Sequence, residues 1–339
     1  MDLSFQPLAL TLRDPFTISR GTQTVAHTVS IHLSDGDHTG RGEAAPSSHY
    51  GETQGTVLAL LTELAPELQC SRTLSLVALH QIMDGIARLN PAAKAAVDIA
   101  LHDLTAQRFN APLYAVLGID AHCTPQTSYT IGIDTPETMA RKAAEARDFP
   151  ILKVKVGTPG DTANLEAIRR ERPDAIIRVD ANEAWTAKQA VRNIETLLEY
   201  GLEFVEQPVP GDDLDGLDYV RRRVPLPVIA DESCVIPMDV PRVAGHVDGI
   251  NIKLMKCGGI YPALQMIHLA RAHHLQVMMG CMIESSVAIT AAAHLSPLLD
   301  FADLDGNLLV SDDPVRGVTV QGGRLLLSNR PGLGLQIAS

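Results

Sequence analysis

The chain has no surplus of positive charge, no paired cysteines and no long apolar run, and each absence removes a class of function. Its 28 Lys and Arg face 40 Asp and Glu, a formal charge of −12. Binding a phosphate backbone needs clustered basic side chains, so nucleic acid is not expected as a partner. The net charge leaves the sign of a substrate open, because the local field of a site can oppose it. Five cysteines, Cys70, Cys123, Cys234, Cys257 and Cys281, are scattered and form no CxxC pair. That pattern suits neither a disulfide framework nor a zinc cluster and predicts reduced thiols in a cytosol. The opening MDLSFQPLALTLRDPF lacks a basic n-region and meets Arg13, Asp14 and Pro15 early, so no secretory signal is expected. No stretch approaches 18 uninterrupted apolar residues, so no membrane-spanning helix is expected either. What is there is the composition of a globular chain: 339 residues, 45% hydrophobic and 20% charged, enough for two domains or one barrel with a satellite.

Three carboxylates recur at nearly equal spacing, each closing a short apolar run: Asp180 in IIRVDA, Glu206 in FVEQP and Asp231 in VIADES, 26 and 25 residues apart. Lys155 in ILKVKVG lies 25 residues before the first, and Lys253 in GINIKL lies 22 after the last. A strand, a returning helix and two loops take roughly 20–30 residues, so the spacing describes consecutive βαβ units. Candidate strands are TSYTIGI (127–133), ILKVKVG (151–157), IIRVDA (176–181), FVEQP (204–208), VIADE (228–232), GINIKL (249–254), QVMMGC (276–281) and FADLDG (301–306). Eight units at that period predict a (β/α)₈-type barrel, with a doubly wound open sheet as the runner-up. Strand ends then converge at one mouth of the barrel.

The first 45 residues alternate apolar and polar positions around turns, as antiparallel strands do, with Asp35-Gly36 as a hairpin turn. From about Glu52 to Arg108 the period lengthens; AAKAAVDIALHDLTAQR predicts an amphipathic helix starting after Asn90-Pro91. Strands followed by helices describe an α+β domain. The closing VTVQGGRLLLSNRPGLGL has strand and Gly-turn chemistry, and we expect it to return to the first domain. The expected division is an α+β domain over residues 1–120, completed by about 315–339, and a barrel over 121–314.

Three acids at a barrel mouth suit a hard cation such as Mg²⁺, which takes oxygen ligands. The motifs contain no His or Cys, which argues against zinc. Glu183 and Glu232 compete as ligands, while Asn182 and Gln207 suit supporting hydrogen bonds. Lys153 and Lys155 share one strand face; an edge-strand pair facing water is the competing reading. A base must first lose its proton, and an ordinary lysine pKa of about 10.4 is too high. A neighbouring ammonium and a metal ion are expected to lower it. Lys253, with Lys256 as its rival, comes from across the barrel. Two bases on opposite sides of one carbon can invert it through an enolate. From the residues alone, a Schiff-base aldolase using one barrel lysine competes.

The motifs KVK, VDANEAW, EQP, ADES and NIKLMKCGG resemble the enolase superfamily, specifically its muconate-lactonizing subgroup. The resemblance implies an α/β fold, a modified TIM barrel (β/α)₇β with an N-terminal α+β capping domain. It implies Mg²⁺ on Asp180, Glu206 and Asp231, an acid/base pair of Lys155 and Lys253, and electrostatic support of the enolate by Lys153. Mandelate-racemase-like members use a histidine on strand seven, and QVMMGCM has none. Asp303 and Asp305 of FADLDG lie two apart, and dipeptide epimerases of this superfamily carry a DxD there that binds the substrate's α-ammonium group. MGCMIES, PFTISRG and HYGET also resemble L-Ala-D/L-Glu epimerases. The implied reaction is Mg²⁺-dependent inversion at the α-carbon of the C-terminal residue of a dipeptide. Arg20 would then pair with a substrate side-chain carboxylate. Tyr50, Thr130, Cys281, Met282 and Glu284 would contact substrate, with His27 and His49 as further candidates. Gly258 and Gly259 would permit a tight turn. A cycloisomerase or o-succinylbenzoate synthase-type lyase is the alternative, opposed by Asp303 and Asp305, since those substrates carry no ammonium group. A metal-binding paralogue without activity is the non-enzyme reading. The expected partner is a small dipeptide, with no nucleic acid and no membrane; barrels of this class often form homo-oligomers.

Overall fold

A computed structural model describes residues 1–69 and 75–337; Cys70 lies outside them. The amino-terminal alternation becomes a three-stranded antiparallel sheet of β1 (Asp2–Ile18), β2 (Gly21–Ser34) and β3 (Thr39–Ala44), in that order. The β2–β3 turn falls at Asp35-Gly36, as its chemistry predicts. Gly36 takes φ of 101°, and the Asp35 carboxylate accepts from the amides of Asp37 and His38 at 3.0 and 2.7 Å.

Three helices follow, α1 (Gln54–Gln69), α2 (Leu76–Ile86) and α3 (Pro91–Arg108). The expected amphipathic character of α3 is corrected: Ala92 to Leu104 is buried all round, Lys94, Asp98, His102 and Asp103 included. The reason is position, since one side of α3 packs on β3 and another on the barrel. The polar residues find partners there. Asp98 accepts from the Ile260 amide at 2.5 Å and pairs with His80 at 2.9 Å, and Lys94 pairs with Asp84 at 2.6 Å. The β3–α3 approach is close enough to require glycine. A Cβ on Gly42 would lie 1.9 Å from the Ala96 carbonyl oxygen, with backbone on both sides of the clash. Gly42→Ala is therefore expected to destabilise the protein by about 1–3 kcal/mol, read as a lower urea midpoint at unchanged slope; a shift below about 0.5 kcal/mol would mean the contact is loose.

After α4 (Leu113–Val116) come eight parallel strands: β4 (Tyr129–Ile131), β5 (Ile151–Lys155), β6 (Ile176–Asp180), β7 (Leu202–Glu206), β8 (Val228–Ala230), β9 (Gly249–Ile252), β10 (Gln276–Met279) and β11 (Phe301–Ala302). They pair in sequence order. Thr127 pairs in parallel with Ala302, and the Ser128 amide donates to the Ala302 carbonyl at 3.2 Å, so the sheet closes and the open-sheet alternative falls. Between the strands run α5 (Pro136–Glu145), α6 (Asp161–Glu171), α7 (Ala187–Leu197), α8 (Leu214–Arg221), the short α9 (Val240–Val243) and α10 (Leu254–Cys257), α11 (Ile260–Ala272) and α12 (Ser286–Ala293). β11 is followed by a 3₁₀ turn, Gly306–Leu309, and not by a barrel helix. The fold is thus (β/α)₇β. All eight strands lie within the expected segments or one to two residues from them, but they end sooner. Asp231, Lys253, Asp303 and Asp305 all sit past the last paired residue.

The chain then forms two small antiparallel pairs, β12 (Val315–Arg316) with β15 (Gln336–Ile337) and β13 (Thr319–Gln321) with β14 (Arg324–Leu326). Gly322 and Gly323 turn the second with φ of 57° and 75°. Gly332 exchanges backbone bonds with Ala111 and Leu113, and the Leu333 amide donates to Asp103 of α3 at 2.7 Å. Among the described residues, no helix is long and apolar enough to cross a membrane.

Candidate active site

Alternation along the strands points Lys153, Lys155, Asp180 and Glu206 into the barrel mouth, all buried. Lower in the barrel Arg178 fills the floor, its guanidinium 5.2 and 5.0 Å from the Phe204 and Phe301 rings and 2.6 Å from Glu203. Above that floor, Asp180, Glu206 and Asp231 are fully buried and offer ligand oxygens within 4.8 Å of one another. Glu183 and Glu232, the competing ligands, stand apart. They converge with His49 as a second group at the rim, where the Arg20 guanidinium lies 2.9 and 2.8 Å from their carboxylates.

The lysines flank the three carboxylates. Lys155 Nζ is 2.6 Å from Asp180, and Lys253 Nζ is 2.7 Å from Asp231. Their strands, β5 and β9, are half the barrel apart. Lys153 Nζ reaches Asp180, Glu206 and Asp303 at 3.1, 2.8 and 2.7 Å. Lys256, the rival of Lys253, is wholly buried, and its donors are committed: Asp231 Oδ1 and O at 2.6 Å, and the Cys234 and Asn251 carbonyls at 3.0 Å. It props Asp231 from behind.

Burial disfavours every charge here, and the balance of neighbours decides each outcome. For Asp180 burial is outweighed by Lys155 and Lys153, which hold it well below the usual carboxylate range. Asp231 is likewise held low, by Lys253 and Lys256 against burial. Burial and the adjacent Asp180 push Glu206 up to about 8. Among the protein's own groups, the carboxylates set the direction at Lys153. Burial does lower it, but Asp303, Glu206 and Asp180 outweigh that and hold its ammonium well above the usual value. Lys253 is raised too, by Asp231 against burial.

Asn182 and Gln207 brace the carboxylates. Asn182 donates from its backbone to Asp180 Oδ1 at 3.0 Å, and Gln207 Oε1 accepts from the amides of Asp231 and Ser233 at 2.9 and 3.2 Å. Both take positive φ, 43° and 35°, a strain tolerated because these bonds over-determine them. Asp303 Oδ1 accepts from Ser128 Oγ at 2.6 Å, and Asp305 accepts from the Thr130 amide and hydroxyl at 2.5 and 3.2 Å. Burial and Asp303 raise Asp305 to about 7.

Arg20 comes from the β1–β2 turn. It also donates to the Asn182 carbonyl at 3.2 Å, and Ser19 Oγ donates to the same oxygen at 2.9 Å. Tyr50 sits edge-on to His49, with ring centroids 4.9 Å apart. His27 lies on an exposed position of β2, paired with Ala9 of β1. Cys281 contacts the Asp303 carbonyl through Sγ at 3.3 Å; Met282 is partly buried beside it, and Glu284 is buried, its carboxyl pushed well up by burial and Glu43. Gly258 and Gly259, with φ of 97° and 118°, turn the chain against α3; a Cβ on Gly259 would meet the Asp98 carboxylate at 2.4 Å.

Three contributors escaped the sequence reading. Asn251, 2.8 Å from Glu206, lies two residues before Lys253 and shares its face. Ser128 stands in the same relation to Thr130. Alternation alone could have found both. Glu43, a single acid in RGEA, carried no signal.

The barrel-bearing region, residues 137–339, matches the family model described as enolase C-terminal domain-like. Residues 3–118 match the mandelate racemase/muconate lactonizing enzyme N-terminal domain. The chain belongs to this family. An L-Ala-D/L-Glu epimerase of Bacteroides thetaiotaomicron is 43% identical over 99% of this chain and 88% of its own length. Among solved structures of the family, a dipeptide epimerase of Enterococcus faecalis V583 complexed with Mg and L-Leu-L-Tyr superposes with a TM-score of 0.92 at 38% identity, covering 98% of each chain. A substrate-liganded L-Ala-D/L-Glu epimerase of Bacillus subtilis gives 0.93 at 34% identity over 100% of each.

Proposed function

We propose that the protein is a Mg²⁺-dependent dipeptide epimerase that inverts the α-carbon of a dipeptide's C-terminal residue. The observation that carries this is the placement of Lys155 and Lys253 at opposite ends of one three-carboxylate cluster. Asp180, Glu206 and Asp231 would hold the metal, and their donor set fits: three buried oxygens within 4.8 Å that now gather ammonium groups. Mg²⁺ bound there supplies Lewis-acid stabilisation of the charge developing on the substrate carboxylate and offsets the negative field that holds Lys253 protonated. One lysine takes the α-proton from one face of the carbon, and the other returns a proton to the opposite face.

Asp303 and Asp305 give the reading its substrate. Both are buried, and Asp303 already engages one ammonium, that of Lys153 at 2.7 Å, so the site's chemistry suits a second at the dipeptide's amino terminus. Asp303→Asn is expected to raise KM for dipeptides with free amino termini about tenfold, the effect of one charge-assisted hydrogen bond, and to spare N-acylated analogues. An unchanged KM removes the assignment. An acidic substrate side chain at Arg20 must compete with Glu183 and Glu232, which leaves the second amino acid open. Of the relatives named above, two are L-Ala-D/L-Glu epimerases and the third is complexed with L-Leu-L-Tyr.

We further propose the domain division 1–120 with 315–339 and 121–314, supported by the return of Gly332 and Leu333 to the α3 region. A cytoplasmic location is supported by the free thiols of Cys123, Cys234, Cys257 and Cys281, and homo-oligomer formation by the habit of the fold class. The decisive test is incubation with Mg²⁺ and a dipeptide library in D₂O, read by mass spectrometry. Deuterium at one α-carbon is expected. Turnover of a succinylbenzoate precursor without dipeptide exchange would replace this reading with the lyase one.

A further inference from the structure

Glu43 belongs to the capping sheet, yet its carboxylate is spent on the barrel. It is 1% exposed. It accepts from the Ser285 amide at 3.0 Å to each oxygen, and from Ser285 Oγ in a short bond. Ser285 is the N-cap of α12 and ends the segment Cys281–Glu284 that leads from β10 along the mouth. The same segment is fastened a second time, because Ile283 packs with Leu10, Leu12 and Ala26 of the β1–β2 hairpin. Between the two fastenings lies Glu284, 2% exposed, whose Oε2 has no hydrogen-bond partner among the described residues.

Helix capping does not account for Glu43. Ser285 Oγ already accepts from the Val287 amide at 3.2 Å, and Asp313 already binds the Ser286 amide and hydroxyl at 2.8 and 2.7 Å. A further buried carboxylate carries a desolvation cost that capping leaves unexplained. Placement of the wall explains it.

We propose that Glu43 is a positioning residue: through Ser285 it sets the wall Cys281–Glu284 against which the dipeptide rests, so substrate affinity depends on how the capping domain seats on the barrel. The substrate in this statement rests on the epimerase reading; the geometry does not.

Alkylation of Cys281 by iodoacetamide, followed peptide by peptide against buried Cys234 and Cys257, reads the wall directly. In Glu43→Ala, Cys281 is expected to label about tenfold faster while the reference thiols stay unchanged, as for a local opening. Glu43→Gln, whose amide oxygen still accepts from the Ser285 amide, should return to within about threefold of the parent, and Asp313→Asn should leave Cys281 unchanged. With an exchanging dipeptide, Glu43→Ala should raise KM about tenfold and alter kcat less than about threefold. Should Glu43→Ala not fold, Glu43→Leu, which removes both acceptor oxygens but fills the space, carries the same expectations. Unchanged Cys281 labelling, or a parallel rise at Cys234 and Cys257, would overturn the proposal. If the parent protein exchanges no dipeptide, the epimerase reading falls while the labelling still decides the role of Glu43.

Discussion

Lys155→Ala and Lys253→Ala are each expected to lower epimerisation by about 10³-fold, within the range for removing a general acid/base. The informative part is their asymmetry. The two ammonium groups stand on Asp180 and Asp231, at opposite ends of the carboxylate cluster, so each faces one side of a carbon held between them. A variant keeping one base can still remove the α-proton it faces. In D₂O, each single variant should therefore exchange one epimer of the C-terminal residue and leave the other untouched, and the two variants should choose opposite epimers. The double variant should exchange neither. Because the lysines act as a unit, its loss should fall well short of the product of the single losses. Exchange of both epimers by either single variant would show that Lys153 or solvent substitutes, and would end the two-base assignment. The neighbouring Lys256→Ala tests something different. Its ammonium holds Asp231 and two backbone carbonyls besides Asp231's own, so its removal should act on stability before selectivity.

The barrel was readable because its signal is periodic. Strand starts recur every 21–28 residues, and within each strand alternation decides which side chains face inward, so Lys153, Lys155, Asp180 and Glu206 could be placed from spacing alone. What resisted reading depends on contacts between segments far apart in the chain. Spacing leaves Glu183 and Glu232 as rivals beside Asp180 and Asp231. What it does not show is that the β1–β2 turn brings Arg20 down on those two, 163 and 212 residues away. The burial of Lys94 and Asp98 on α3 depends on a barrel that begins more than twenty residues later. The early strand ends follow the same logic. Lys253 caps α10, and Asp231 takes its backbone bond from a Gln207 side chain, so each leaves the ladder for a partner that sequence does not name.

The second large effect concerns the carboxylates, and the choice of residue matters. Asp231→Asn would strip from Lys253 and Lys256 the only carboxylate that pairs with either among the described residues, and Asp180→Asn would do the same to Lys155, so in either variant lost activity would be entangled with buried unpaired ammonium groups. Glu206→Gln avoids this. Its partners are Asn251, an amide that can hydrogen-bond glutamine, and Lys153, which keeps Asp180 and Asp303. The fold should therefore survive with near-parental stability in chelator, while dipeptide exchange falls by at least about 100-fold. A readout independent of catalysis follows from linkage: a cation binding only the folded state at 100 times its Kd adds about 2.7 kcal/mol, a rise of a few degrees in Tm. The parent protein should show that rise with Mg²⁺ and lose it with EDTA, and Glu206→Gln should respond to neither at the same concentrations. A parental Tm indifferent to Mg²⁺, or a Glu206→Gln variant as responsive as the parent, would place the metal elsewhere. The second group at the rim, His49, Glu183 and Glu232, is the arrangement to test next in that case. Arg20→Ala would then be expected to strengthen the response by freeing two carboxylates, whereas a metal on Asp180, Glu206 and Asp231 should leave it unchanged.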